Sequence, residues 1–156
     1  MMCRPEKGCN DREALISFLN EAQVLHLAIA APGNVPYIVP LNYVYDDGCF
    51  YIHSATEGRK ISLLRQNRLT GFAISKQLRI RVHEDNPCAT GTSYKSVIGK
   101  AEALFTDNSG NKSRILNMLL AKYTGSLPVE YKEKVLNRLL IIKLKILEMA
   151  FKVDLR

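Results

Sequence analysis

An antiparallel β-barrel of the α+β kind is the fold this sequence predicts. Three observations point to it. Six or so runs rich in β-branched and aromatic residues follow one another with turn signals between them. Helical patterns fall at the ends and between hairpins rather than after every strand, which argues against a parallel α/β sheet. The length, 156 residues, is enough to enclose one core and does not require two, so residues 1–156 are expected to form a single domain.

Residues 1–9, with Pro5, Gly8 and little periodicity, read as a loose N-terminal arm. A helix follows. Asn10 is placed to cap it, with Glu13 three residues on, and Ala14, Leu15, Phe18, Leu19 and Ala22 share a face that is expected to be core. Strand patterns take over at about 25–31, 35–45 and 49–54, with turns at Pro32-Gly33-Asn34 and Asp46-Asp47-Gly48. The Asp-Gly pair between aromatic and β-branched runs is a strong hairpin signal. A short helix over 58–67, with Ile61, Leu63 and Leu64 to bury, leads into a strand at about 69–76. Residues 77–89 have mixed polarity and no assignable pattern, and a long strand is expected over about 92–106. Asn108 or Ser109 starts a helix with Ile115, Met118, Leu119 and Lys122 on one face and Gly125 to end it, and Pro128 opens a short helix through about Arg138. The tail alternates in two phases, Leu140, Ile142, Leu144 and Ile146 first, then Met149, Phe151, Val153 and Leu155. That slip predicts a β-bulge or a change of environment near Leu147-Glu148.

Composition excludes several functions. The net charge of +7 permits contact with nucleic acid, but the cations are scattered and no helix pattern carries a basic face with interleaved aromatics, so no nucleic-acid partner is expected. The same balance suits a phosphorylated cofactor or an anionic substrate. Gly99-Lys100 is not a P-loop, because Tyr94 stands five residues before Gly99 and Ala101 follows the lysine. Cys3, Cys9, Cys49 and Cys88 form no C-x-x-C pair, and His26, His53 and His83 supply no recognisable ligand set, so reduced thiols and no metal site are expected. With no run of about 18 apolar residues and no charged-then-apolar leader, the expectation is a cytoplasmic protein without membrane contact.

The chemistry concentrates in Phe50-Tyr51-Ile52-His53-Ser54-Ala55-Thr56-Glu57-Gly58-Arg59-Lys60, a strand-like run that ends in small polar residues and then meets two adjacent cations. Ser54 and the N–H groups around Gly58 offer hydrogen bonds, Arg59 a bidentate fork and Lys60 a point charge, at the positive end of a helix. On spacing alone this is either a phosphate cradle or an ordinary strand-to-helix turn with solvated cations.

The run resembles the His-Ser-Ala-x-x-Gly-Arg-Lys signature of the FMN-binding split-barrel proteins related to pyridoxamine 5′-phosphate oxidase, most closely the nitroimidazole-resistance (Nim) subgroup. Phe18-Leu19-Asn20-Glu21-Ala22, His26-Leu27-Ala28 and Pro36-Tyr37-Ile38-Val39-Pro40-Leu41-Asn42-Tyr43 are similar to that subgroup's opening, and Tyr94-Lys95-Ser96-Val97-Ile98-Gly99 to its second signature. The resemblance spans about residues 10–125. It implies an antiparallel split β-barrel of the FMN-binding type with flanking helices, and a homodimer with flavin at the two-fold interface.

Carried over, the resemblance places the flavin phosphate at His53, Ser54, Ala55, Gly58, Arg59 and Lys60. Val39, Pro40, Leu41, Asn42 and Tyr43 edge the isoalloxazine, and Tyr94, Ser96 and Val97 approach it, from the partner subunit. Each stretch has a plainer reading: a buried strand interrupted by proline for 39–43, a central strand with a core tyrosine for 94–97. His53 is a weak candidate proton donor. The implied activity is an FMN-dependent oxidoreductase, nitroreductase-like toward nitroaromatic or quinone-like acceptors, with FAD as an alternative flavin and NAD(P)H as transient reductant. A non-catalytic flavin binder or a haem-binding relative, with His53 or His26 as ligand, are the alternatives. Where many relatives have Gly-x-Gly-Arg-Ala this chain has Gly99-Lys100-Ala101-Glu102-Ala103, a change on the substrate side of the cleft. It also lacks the Arg-rich C-terminal motif of a vitamin B6-synthesising oxidase, so that activity is not expected.

Overall fold

The computed structural model describes residues 7–106 and 108–155. Seven strands form one antiparallel sheet: β1 (Leu25–Ile29), β2 (Tyr37–Leu41), β3 (Val44–Asp46), β4 (Cys49–Ala55), β5 (Leu69–Arg81), β6 (Gly91–Thr106) and β7 (Leu139–Asp154), in the order β2-β1-β5-β6-β7-β4-β3. The helices are α1 (Arg12–Glu21), α2 (Arg59–Gln66), α3 (Ser109–Thr124) and the single turn α4 (Glu133–Leu136).

The expected strand at 35–45 is two strands, and the break defines the fold. β2 and β3 lie at opposite edges of the sheet yet are joined only by Asn42 and Tyr43. Three Cα steps span at most about 11 Å, so the sheet has to curl until its two edges come together. The edges are joined by chain rather than by a strand ladder, which makes the barrel split. Tyr43 anchors this crossing: it is fully buried, its hydroxyl donates to the Leu19 carbonyl at 2.8 Å, and its ring meets Phe50 edge-on. Pro40 is tolerated because β2 is an edge strand.

The core fills the curl. Leu25, Leu27 and Ile29 of β1, Phe50 and Ile52 of β4, Phe72 and Ile74 of β5, Val97, Ala101 and Ala103 of β6, and Phe18 and Leu19 of α1 pack together. The β3–β4 hairpin turns at Asp47 and Gly48, both at positive φ (43° and 71°), the backbone that a two-residue Asp-Gly turn requires.

The slip expected near Leu147 is a bulge. Lys100 pairs with Glu148 but Ala101 pairs with Ile146, so Leu147 is the extra residue and the core face of β7 passes from even to odd positions. Gly99 sits against the same bulge, where a Cβ would lie 2.1 Å from the Glu148 carbonyl oxygen.

Several boundaries differ from the sequence reading. Asp11, not Asn10, caps α1, accepting from Ala14 N–H at 3.0 Å. Residues 77–81 extend β5; they pair only with β6, so both faces of this ribbon meet solvent and its polarity is mixed. The helix expected from Pro128 is reduced to α4, because the Asn117 side chain bonds both the N–H and the carbonyl of Val129 and holds that segment out of a helix. Residues 1–6 of the expected arm lie outside the described residues. Residues 7–9 are tied down: Cys9 N–H donates to the Phe151 carbonyl at 2.9 Å, and Lys7 pairs with Asp154 at 2.5 Å. Among the described residues no helix is long and apolar enough to cross a membrane.

Candidate functional site

β4 delivers its last residues to the start of α2, and the positive end of that helix is open. Gly58 is its N-cap, at φ 120° and ψ 170°, and no side chain caps it. A residue with a side chain is strained in that backbone, and the space where a Cβ would stand is empty, so the first N–H groups of α2 can be approached closely. The two cations diverge around this end. Arg59 lies over the Tyr37 ring of β2, its guanidinium carbon 4.8 Å from the centroid, bridging the split. The Lys60 charge is near enough to His53 to act on its imidazole.

The electrostatics fit an anion. Burial lowers the Lys60 pKa below the ordinary lysine value, and burial, then the nearby Lys60 charge, lowers that of His53. Neither Arg59 nor Lys60 forms an ion pair with a carboxylate among the described residues. Ser54 is 9% exposed and its hydroxyl has no hydrogen-bond partner among the described residues. A half-buried cation and an uncapped helix start are groups that favour an anion, and the Ser54 hydroxyl lies on the strand that leads to them.

A second feature lies on the outward face of the sheet. A trough of about 830 Å³ runs over β1, β2, β5, β6 and β7. Its floor is a lattice of small residues set by register: Ala28 opposite Gly71, and Ala73 opposite Ile98, itself opposite Ala150. His26 and Ile38 line one side; the Lys100–Glu148 ion pair, 2.8 Å, closes another. None of these was singled out from the sequence as a floor. The readable signal was small residues at every second position, Ala28 in β1 and Gly71 and Ala73 in β5.

The family model for pyridoxamine 5′-phosphate oxidase matches residues 11–152. The chain belongs to that family. Among solved structures, a putative 5-nitroimidazole antibiotic resistance protein from Bacteroides thetaiotaomicron superposes with TM-score 0.82 at 22% identity, over 94% of this chain and 86% of that one. The flavocytochrome Anf3 from Azotobacter vinelandii gives 0.83 at 17% identity, over 100% and 73%. An FAD and heme binding protein from Mycobacterium smegmatis gives 0.84 at 17%, over 96% and 74%. No match was found among curated proteins.

Within this oxidase-family fold the residues read from the sequence separate into two groups. His53, Gly58, Arg59 and Lys60 gather at the α2 end, with Ser54 and Ala55 on the strand that feeds it. Strand alternation sets His53 and Ala55 on one face of β4 and Ser54 on the other, so they share one anion only where the strand ends. Tyr94 and Ser96 share the outward face of β6 with Ile98, and Pro40 and Asn42 are exposed. The Tyr43 and Val97 side chains are fully buried in the core, which leaves only main-chain groups of these two residues for a ligand. The Tyr43 N–H donates to the Tyr123 hydroxyl at 2.9 Å, and that hydroxyl donates to the Gln23 carbonyl at 2.6 Å, so the Tyr43 N–H is engaged as well. Val39 and Leu41 pack partly against the core, leaving only their main chain for a ligand.

Proposed function

We propose that this oxidase-family protein is an FMN-dependent oxidoreductase acting on nitroaromatic or quinone-like small molecules, as a cytoplasmic homodimer of single-domain subunits. The observation that carries the reading is the α2 start: an uncapped helix end with two cations, unpaired with carboxylates among the described residues, beside a histidine whose pKa is lowered by burial and by Lys60. A terminal phosphate monoester, bearing about −1.5 to −2 charges at neutral pH, matches it. Arg59, Lys60, His53, Ser54 and the first N–H groups of α2 hold the phosphate. FMN ends in such a group; FAD, named for the Mycobacterium smegmatis protein and for an FAD-binding protein from Mesorhizobium loti, does not.

The outward trough supports an assignment for the ring and the acceptor. The small residues of its floor leave room for planar groups, and the exposed main chain at Pro40 and Asn42 stands at its edge. A second copy covers this face, and its Tyr94 and Ser96 complete the site. Bound flavin supplies hydride transfer, with NAD(P)H as external donor. The protein's part is to orient the ring, exclude water and hold the phosphate, so it needs no nucleophile of its own.

Purification tests the cofactor: yellow protein that releases FMN supports the reading, and released FAD replaces FMN in it. A red protein with a Soret band favours the haem alternative, for which His26, lining the trough, is the first candidate ligand. Stopped-flow reduction by NAD(P)H with and without a nitroaromatic acceptor separates an enzyme from a flavin carrier.

A further inference from the structure

Away from the trough and the α2 end, a hollow of about 280 Å³ opens between α3 and the outward faces of β4, β6 and β7. Its floor is one register row, in which Tyr51 of β4 stands opposite Lys143 of β7, and Lys143 opposite Leu104 of β6. Two cations converge there. The Arg114 guanidinium carbon is 5.7 Å, and the Lys143 ammonium 5.9 Å, from the centroid of the Tyr51 ring, which is only 9% exposed. Arg114 donates to Asp46 at 2.8 Å and is neutralised by it, whereas Lys143 forms no ion pair among the described residues. No carboxylate lines the hollow among those residues. Among the described residues, then, Lys143 is a cation in the hollow without a carboxylate partner.

Apolar Leu104, Phe105 and Ile115 and polar Thr106 and Asn111 complete the lining. A bare inorganic anion leaves the three apolar side chains without a partner. A carboxylate on an apolar body uses both kinds of lining: its charge meets Lys143 and Arg114, and its hydrocarbon lies against the aliphatic and aromatic side chains. We propose that this hollow binds a small organic carboxylate, held at its charged end by Lys143 and Arg114 and packed against Leu104, Phe105 and Ile115.

The test is calorimetric titration of the purified protein, with its flavin as isolated, using benzoate, benzamide and inorganic phosphate. Benzoate is expected to bind saturably, benzamide at least tenfold more weakly, and phosphate not to compete for the benzoate site. Lys143→Met, which keeps the aliphatic stem, should weaken benzoate at least tenfold, and Arg59→Ala should leave it unchanged. Lys143→Gln serves if the methionine variant fails to fold. The proposal is overturned by equal binding of benzoate and benzamide, by wild-type benzoate affinity in the folded Lys143 variants, by displacement of benzoate by phosphate, or by loss of benzoate binding in Arg59→Ala, which would move the site to α2.

Discussion

Lys122 illustrates how one side chain carries a cost that the surrounding groups only partly offset. Its ammonium donates to the Leu19 carbonyl at 3.0 Å and stands 3.7 Å from the Tyr43 ring centroid, contacts that favour the charged form. Burial outweighs them and lowers its pKa to about 8. Between about pH 8 and 10.5 the unfolded chain keeps the proton that the folded chain has lost, so stability rises with pH across that window. The gain should be about 1–2 kcal/mol after allowance for its partial exposure, and Lys122→Met should abolish it in urea unfolding at pH 7.5 and 10. His53 behaves alike at lower pH. Its folded pKa lies below 6.5, so stability falls as pH drops from 6.5 through that lowered value, and His53→Gln should flatten the slope. As a phosphate ligand, His53 replaced by Gln should also keep turnover per bound flavin nearly intact. A hundredfold loss of acceptor reduction at full occupancy, with reduction by NAD(P)H unchanged, would make it a proton donor instead.

At the scale of elements, what the sequence made legible was what local chemistry decides. The Asp47-Gly48 turn, the Gly125 helix stop and the bulge at Leu147 follow from backbone preference and side-chain phase, and each is present. The break at Asn42-Tyr43 was hidden, since a residue that crosses from one sheet edge to the other can be as apolar as its strand neighbours. The burial of Tyr43 and Val97 was hidden for the same reason: a motif marks a segment, and only strand alternation decides which of its side chains face the core. Gly99 carries a prediction here. Because its Cβ would collide with the Glu148 carbonyl and with the Phe72 ring at 2.6 Å, Gly99→Ala should destabilise the protein on the order of 3 kcal/mol by displacing the β6–β7 bulge. A denaturation midpoint equal to wild type would mean that the strands part there at no cost.

For the whole molecule, the curl joins two things that are distant along the chain, the α2 end that meets β2 through Arg59 and Tyr37, and the outward trough. Ile38 and Ile98 are exposed beside the trough's floor, and in the proposed dimer this is the face that a second copy covers. Light scattering at micromolar concentration should give a dimer, with an interface on the order of 2,000 Å² or more. A monodisperse monomer would remove that arrangement. The central claim is that the α2 end is a phosphate cradle, and titration of flavin-stripped protein with FMN and with riboflavin tests it most directly. Each charge-assisted contact is worth about 1.5–3 kcal/mol, so FMN should bind at least about a hundredfold more tightly than riboflavin. That gap should shrink tenfold to a hundredfold in Arg59→Ala, by an estimate of about one such contact, and nearly close in folded Arg59→Ala/Lys60→Ala protein. Equal affinity for the two ligands in wild type, or an undiminished gap in the folded double variant, would contradict the account.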